Sequence, residues 1–433
     1  MSTLLLKNAD IIATYEGSFT CLRNSYLGIE GDTIDYIGSS KPTEKYDEEK
    51  DMHSRLLIPG LINSHGHSGM VLLRGLGSDL PLQDWLHQMW PIEDRMRVQD
   101  LQVGMKLAML EMIATGTTSF SDMYLRPRDM TAVVEQSGMK ANIARCITCP
   151  DTAMRYESFA PARESIELFK DFHKAFDDRL RIDFSIHAQY TITDLIARRY
   201  SEDCLDNGGR LHVHISETRK EHEDCISQLG KTPTRWFADL GTFKSPTAAA
   251  HCVWASDEDI SIMAQNKVSV IHNPSSNMKL GSGFAPIGKM LRSGINVALG
   301  TDGAASNNNL NMLEEMHLAS IIHKGYHLDP TLMKPETVLR MATANGALLQ
   351  GRPDTGSLEV GKKADICAID LDKPHLVPNL DPLALLTYSA QGSDVCMTMV
   401  NGRILYENGQ YLTLDRERIL REAEESARFL YGK

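Results

Sequence analysis

The rhythm of apolar and polar positions changes twice along this chain. Residues 1–56 alternate with a period of two, as half-buried strands do. Segment 4–13 reads as one strand, and 26–30 and 33–38, joined through Gly31-Asp32, read as a hairpin. The far end behaves alike: 364–371 and 395–405 are strand-like, with Asn401-Gly402 as a type I′ turn signal. Between them, over about 57–350, short apolar runs alternate with helical stretches, the pattern of a parallel α/β sheet. The final segment, 415–431, spaces Ile419, Leu420, Ala423, Ala427 and Leu430 as a helix would, and it is expected to dock on one of the domains. Since chain ends commonly meet, the two β-rich ends predict one small domain, 1–56 plus 355–433, beside a larger one, 57–354.

The middle region offers eight strand candidates: 56–62, 117–122, 141–147, 182–187, 211–215, 248–253, 268–271 and 296–299. They run in turn into His65/His67, Asp122, Arg145, His187, His214/Glu217, His251, His272/Asn273 and Asp302. A doubly wound sheet would gather such groups at one switch point. A (β/α)8 TIM barrel instead brings every strand end to one mouth, so a barrel is expected.

Length and composition fit that picture. The 433 residues exceed one ordinary domain, and 42% hydrophobic with 24% charged residues is the balance of a soluble globular protein. A net charge of −12 without a Lys/Arg-rich run argues against nucleic acid and membrane surfaces and for a small-molecule substrate. The N-terminus lacks a signal-peptide pattern, and no run approaches the roughly 18 apolar residues of a membrane helix. The eight cysteines are scattered, which predicts reduced thiols and a cytoplasmic location. Cys146 and Cys149 have CxxC spacing but no second ligand pair, so they read as ordinary thiols.

The chemistry gathers at the strand ends. In His65-Gly66-His67 the imidazoles stand at i and i+2, which point to the same side of a strand and can share an ion. Gly66 is expected to let the backbone pass close beneath. His212 and His214 also share a face; His214, nearer the strand end, is the better ligand, and His212 belongs to a supporting layer. Asp302 follows the eighth strand. Three imidazoles and a carboxylate suit Zn²⁺ or Fe²⁺ and leave a position for water, whose pKa such an ion lowers toward ~7. With His187 rather than lysine after the fourth strand, one divalent ion per chain is expected. Glu217 is placed for general acid–base work, and His251 for bonding the attacking water or the charge that develops. His272 is left as a packed core histidine.

The segments PGLINSHGH, HVHISET, HCVW, HNPSSNMKLGSG, ALGTDGAASNNNL and GSLEVGKKADICAID together resemble the deaminase branch of the amidohydrolase superfamily, over nearly the whole chain. Within it the chain is most similar to 5′-methylthioadenosine/S-adenosylhomocysteine deaminases. That resemblance implies a barrel with a small β-sandwich from both termini, and His65, His67, His214 and Asp302 as metal ligands. It implies that Glu217 carries a proton to the purine N1 while water attacks C6, that His251 orients the water, and that Asp302 passes a proton to departing ammonia. Glu93 matches a carboxylate that binds ribose hydroxyls. Arg145 and His187 match substrate-contacting positions, Arg155 a second arginine near the 5′ substituent, and Trp85 a pocket wall or a packed helix residue. Two places depart from the family's habit: Gln189 where proline is usual, and His317 where arginine is common. The implied partner is a purine nucleoside, and a homo-oligomer stays open. The rival readings are deamination or hydrolysis of another aminated heterocycle (cytosine, guanine, a triazine) and a barrel that has lost catalysis. A full ligand set with Glu217 speaks against the last.

Overall fold

The computed structural model describes residues 2–432. Strands β1 (Thr3–Tyr15), β2 (Ser18–Glu30), β3 (Thr33–Gly38), β4 (Glu48–Asp51) and β5 (Arg55–Pro59) open the chain. The barrel strands follow: β6 (Leu61–Asn63), β7 (Thr117–Tyr124), β8 (Lys140–Ile147), β9 (Leu180–Ile186), β10 (Leu211–Ile215), β11 (Thr247–His251), β12 (Ser269–His272) and β13 (Val297–Leu299). Strands β14 (Ile366–Asp370), β15 (Val395–Val400), β16 (Arg403–Glu407) and β17 (Gln410–Tyr411) close it.

The barrel is an eight-stranded parallel sheet ordered β6 through β13. Its two edges approach at the mouth, where Ser64 N donates to Leu299 O at 2.9 Å and Asp302 N to His65 O at 3.0 Å. The ring therefore nearly closes at the segment that carries the first and last of the chemistry-bearing residues. Inside it Ala248, Ala250, Ile271, Ala298 and Leu349 form a small apolar layer. Below, Gln350 plugs the floor, bonded to Ser119 Oγ at 2.5 Å and Ser121 Oγ at 3.1 Å. A fixed floor makes the interior a packed core, so the mouth is the open end.

The second sheet has nine strands from both termini, ordered β17-β16-β15-β14-β5-β1-β2-β3 with β4 beside β1. The two expected turns are present: Glu30 pairs with Thr33 and Val400 with Arg403. Asn401 and Gly402 both adopt positive φ, 49° and 73°, as a type I′ turn requires. The terminal helix Arg416–Tyr431, capped by Asp415, buries Ile419, Ala423 and Leu430, and Tyr431 Oη donates to Leu72 O at 2.8 Å. No helix among the described residues is long and apolar enough to cross a membrane.

One expected strand divides. The apolar run 56–62 serves two sheets, β5 pairing with β14 in the terminal sheet and β6 with β7 in the barrel. Gly60 is the switch. Its N–H donates to Asp365 O at 2.9 Å, and a Cβ there would lie 2.3 Å from Thr118. Apolar continuity hides this break, because both halves are buried.

A buried ion pair joins the two sheets. Lys140, at the start of β8, bonds Asp365, just before β14, and each side chain is under 5% exposed. Asp365 also accepts Asn401 N at 2.9 Å, so one carboxylate anchors the barrel, the turn and β14. Lys140→Ala should cost about 3–5 kcal/mol by stranding that carboxylate. Lys140→Met with Asp365→Leu should recover most of it; both are read from urea unfolding midpoints, and an undiminished midpoint in the single variant would contradict the clamp.

Candidate active site

The barrel mouth collects the predicted residues around one point. His65 and His67 follow β6, His214 lies in β10, His251 ends β11, and Asp302 follows β13. His65 Nε2 and His67 Nε2 stand 3.5 and 3.3 Å from Asp302 Oδ1. Ligand atoms of His65, His67 and Asp302 lie within 4.8 Å of one another, as do those of His65, His214 and His251.

The outward nitrogens are already occupied. His67 Nδ1 bonds Met123 O at 2.7 Å, and His214 Nδ1 bonds His187 O at 2.7 Å. His65 Nδ1 bonds His212 Nε2 at 3.0 Å, which gives His212 its supporting place. Such bonds fix which nitrogen stays free, as second-sphere partners of metal-bound imidazoles do. His65 Nε2 is buried with no hydrogen-bond partner among the described residues, an expensive state unless something else occupies that lone pair.

The electrostatics suit a cation. Burial holds His65 down to about 4, against the pull of Asp302, and burial with the neighbouring imidazoles keeps His214 well below the usual histidine range. Both are thereby kept neutral, the state a metal ligand needs, whereas His67 is raised to about 9 because Asp302 outweighs burial there, so an ion bound at this site would have to displace a proton from it. Burial pushes the Asp302 carboxyl up, but His65 and His67 outweigh it and hold it well below the usual carboxylate range. The donor set therefore fits a divalent ion held by three imidazoles and one carboxylate.

Several supports were not foreseen from sequence. Ser276 Oγ donates to Asp302 Oδ2 at 2.7 Å, and Gly303 N donates to Oδ1 at 2.7 Å. Asn277 Oδ1 receives His251 Nδ1 at 2.9 Å, so His251 Nε2 faces Glu217 Oε2 at 4.0 Å and Asp302 Oδ2 at 3.9 Å. Glu221 accepts the backbone N–H of Ser216 at 3.0 Å and of Glu217 at 2.7 Å, pinning the bend that presents Glu217. Ser216, His251 and Asp302 all hold positive φ, a conformation uncommon for non-glycine residues and here met at three strand ends around the cluster. The expected need for Gly66 is not met, since a Cβ there would make only ordinary contacts at 3.6 Å and beyond. Gly300 is the required glycine, because a Cβ there would lie 2.7 Å from Asn273 and 2.8 Å from His65.

A cavity of about 590 Å³ opens over this cluster, walled by Trp85, Glu93, Arg145, His187, Glu217 and Asp302 among others. Burial raises the Glu217 carboxyl, opposed by His251 and reinforced by Asp302. Burial also raises Glu93, and Tyr124 opposes it by donating to Glu93 Oε1 at 2.5 Å. Trp85 both borders the cavity and packs on its helix, Leu82–Glu93, at 5% exposure. His187 follows β9, its Nδ1 3.3 Å from Thr191 Oγ1. Arg155 is not brought to the cavity: its side chain is 83% exposed, 3.9 Å from Glu157 on a surface turn. Cys146 borders the cavity with its thiol pushed up by burial to about 12, and His272 is buried against His323.

A nearly closed parallel barrel with histidines and an aspartate at its mouth defines a class, and residues 56–405 match the Amidohydrolase family; the chain belongs to it. Within that family it groups with the 5-methylthioadenosine/S-adenosylhomocysteine deaminases. It is 42% identical to the protein of that name from Thermoanaerobacter pseudethanolicus over 430 residues, 99% of each chain. It is 39% identical over 434 residues to the 5′-deoxyadenosine deaminase of Methanosarcina acetivorans, covering 100% of this chain and 99% of that one. Among solved structures, an adenosine deaminase from Xanthomonas campestris with bound zinc superimposes with a TM-score of 0.92 at 30% identity, over 100% of this chain and 99% of that one.

The protein as purified should carry one divalent ion per chain, by elemental analysis. His65→Ala should carry almost none, since three donors leave the site unsupported. Two ions per chain, or full retention in the variant, would contradict the assignment.

Proposed function

We propose that this protein is a hydrolytic deaminase of adenosine-type nucleosides bearing a 5′ sulfur substituent, 5′-methylthioadenosine and S-adenosylhomocysteine foremost, with adenosine within its range. The observation that carries this reading is one cavity bordered by two carboxylates of different placement, Glu217 buried and Glu93 half-buried. Glu217 lies beside the histidine–aspartate cluster, while Glu93 lies on the helix Leu82–Glu93 with one oxygen fixed by Tyr124. The first suits proton transfer to a ring nitrogen; the second suits vicinal hydroxyls, which donate to a carboxylate. The full-length relatives named for 5′-modified adenosines support the same substrate class.

His65, His67, His214 and Asp302 would hold the ion, and zinc is the proposed metal, with Fe²⁺ the alternative. Zinc suits the donor set, and the Xanthomonas campestris adenosine deaminase holds it. When bound, such an ion supplies Lewis-acid activation of water near neutral pH.

The chain's own groups then divide the proton work. His251, with Nδ1 tied to Asn277, turns Nε2 toward the attacking water. Glu217, its pKa raised by burial, takes a proton from that water and delivers it to N1 as oxygen bonds to C6. Asp302, steadied by Ser276 and Gly303, passes a further proton to the amino group. The C6–N bond breaks, and ammonia and the inosine analogue leave. His187 and Trp85, which line the cavity, would border the base and sugar, and Arg145, on the same wall, would meet the end of a 5′ substituent. The protein is expected to act in the cytoplasm.

Ammonia release over a panel of adenine nucleosides, free adenine, cytosine and guanine tests the reading. Nucleosides should react well and free adenine poorly, since a site built for hydroxyls rejects compounds lacking them. Turnover of cytosine or guanine with inert adenosines would overturn it. Glu217→Gln should retain the metal while kcat falls about 10²- to 10⁴-fold; normal turnover would move the proton role elsewhere. Glu93→Ala should raise KM for nucleosides far more than it alters metal content, and unchanged nucleoside kinetics would remove the ribose contact.

A further inference from the structure

Arg145 lies on the cavity wall with its charge already answered. Its Nε stands 3.3 Å from Glu164 Oε2, a residue of the helix Ala160–Phe172 at the rim. The two partners differ in exposure: the Arg145 side chain is 20% exposed and that of Glu164 59%. They also differ in what the contact supplies. Arg145 Nε and Nη1 are buried and lack hydrogen-bond partners among the described residues, so Glu164 gives charge without aligned hydrogen bonds. An arginine held this way has unspent bidentate capacity, and its counter-ion can swing into water at little desolvation cost.

We propose that Glu164 is a specificity-determining residue: a built-in carboxylate that competes with an anionic 5′ substituent for Arg145. The inference rests on the nucleoside reading above. A neutral substituent such as methylthio leaves the Arg145–Glu164 pair intact. A substituent ending in a carboxylate must displace Glu164, and thus gains from Arg145 less than an unpaired guanidinium would give. Glu164 therefore lowers selectivity for anionic over neutral substrates and keeps one pocket serviceable for both. Arg155 and Glu157 do not reproduce this device, since both are exposed and stand 3.9 Å apart.

The test compares kcat/KM for 5′-methylthioadenosine with that for the same nucleoside bearing a 5′ carboxyethylthio group. That probe carries a carboxylate without the ammonium of S-adenosylhomocysteine, so attraction between Glu164 and an ammonium cannot enter. Glu164→Gln should raise the anionic-to-neutral ratio by about two- to fivefold, the size of a partly exposed ion pair. In an Arg145→Gln background the same substitution should leave the ratio unmoved, as a double-mutant cycle requires. An unchanged or lowered ratio in the single variant, or an equal rise in both backgrounds, would overturn the proposal. Wild-type protein that deaminates neither nucleoside would instead overturn the functional reading, and this inference with it.

Discussion

Everything at the barrel mouth depends on one constraint: buried polar groups must spend their outward-facing atoms so that the remaining ones face a common point. Leaving such groups unpaired in an apolar surrounding costs several kcal/mol each. The chain meets this by giving each imidazole a fixed outer partner. Met123 O takes His67, His187 O takes His214, and His212 takes His65. What is left, the inner nitrogens and Asp302, is a set of donors that could hold a cation. Two of the partners come from the adjacent strand, Met123 on β7 and His187 after β9, and the third, His212 on β10, reaches His65 across the barrel, so the arrangement of these imidazoles follows from barrel register.

The same constraint explains the strained backbone. Ser216, His251 and Asp302 sit in the left-handed region at the ends of three strands, where the chain must turn side chains inward at once. Each bend is held by bonds to neighbours: Glu221 on the Ser216-Glu217 amides, Asn277 on His251, Ser276 on Asp302. Glu315 ties two of these loops together, accepting Asn307 Nδ2 at 2.7 Å and Ser275 N at 3.2 Å. The three bends at the mouth are thus each tied to side chains of a neighbouring segment, whereas the turn at Arg155 is held by bonds within itself and lies on the surface.

How much of this the sequence discloses follows from the range of each interaction. Period-two alternation is local, so the hairpin through Gly31-Asp32 and the turn at Asn401-Gly402 could be read directly. Strand-end position is nearly local too, which is why His65, His67, His214, His251 and Asp302 were legible as a group. Partners chosen by tertiary contact were not. Nothing near Asn277 in the chain announces His251, which is 26 residues away. Tyr124 and Glu93 meet across 31 residues. The break at Gly60 escaped because hydrophobicity does not distinguish one buried sheet from another. Only the family resemblance points to Arg155, whose loop carries no firm motif, and the structure holds its side chain on the surface beside Glu157.

Convergence of the inner nitrogens upon a single ion is the central requirement of the site. Anomalous diffraction from crystals of the protein as isolated, recorded on both sides of the zinc edge, tests this most directly. One peak per chain is expected, enclosed by Nε2 of His65, His67 and His214 and by a carboxylate oxygen of Asp302. A second peak near His187, or a single peak away from these four side chains, would contradict it.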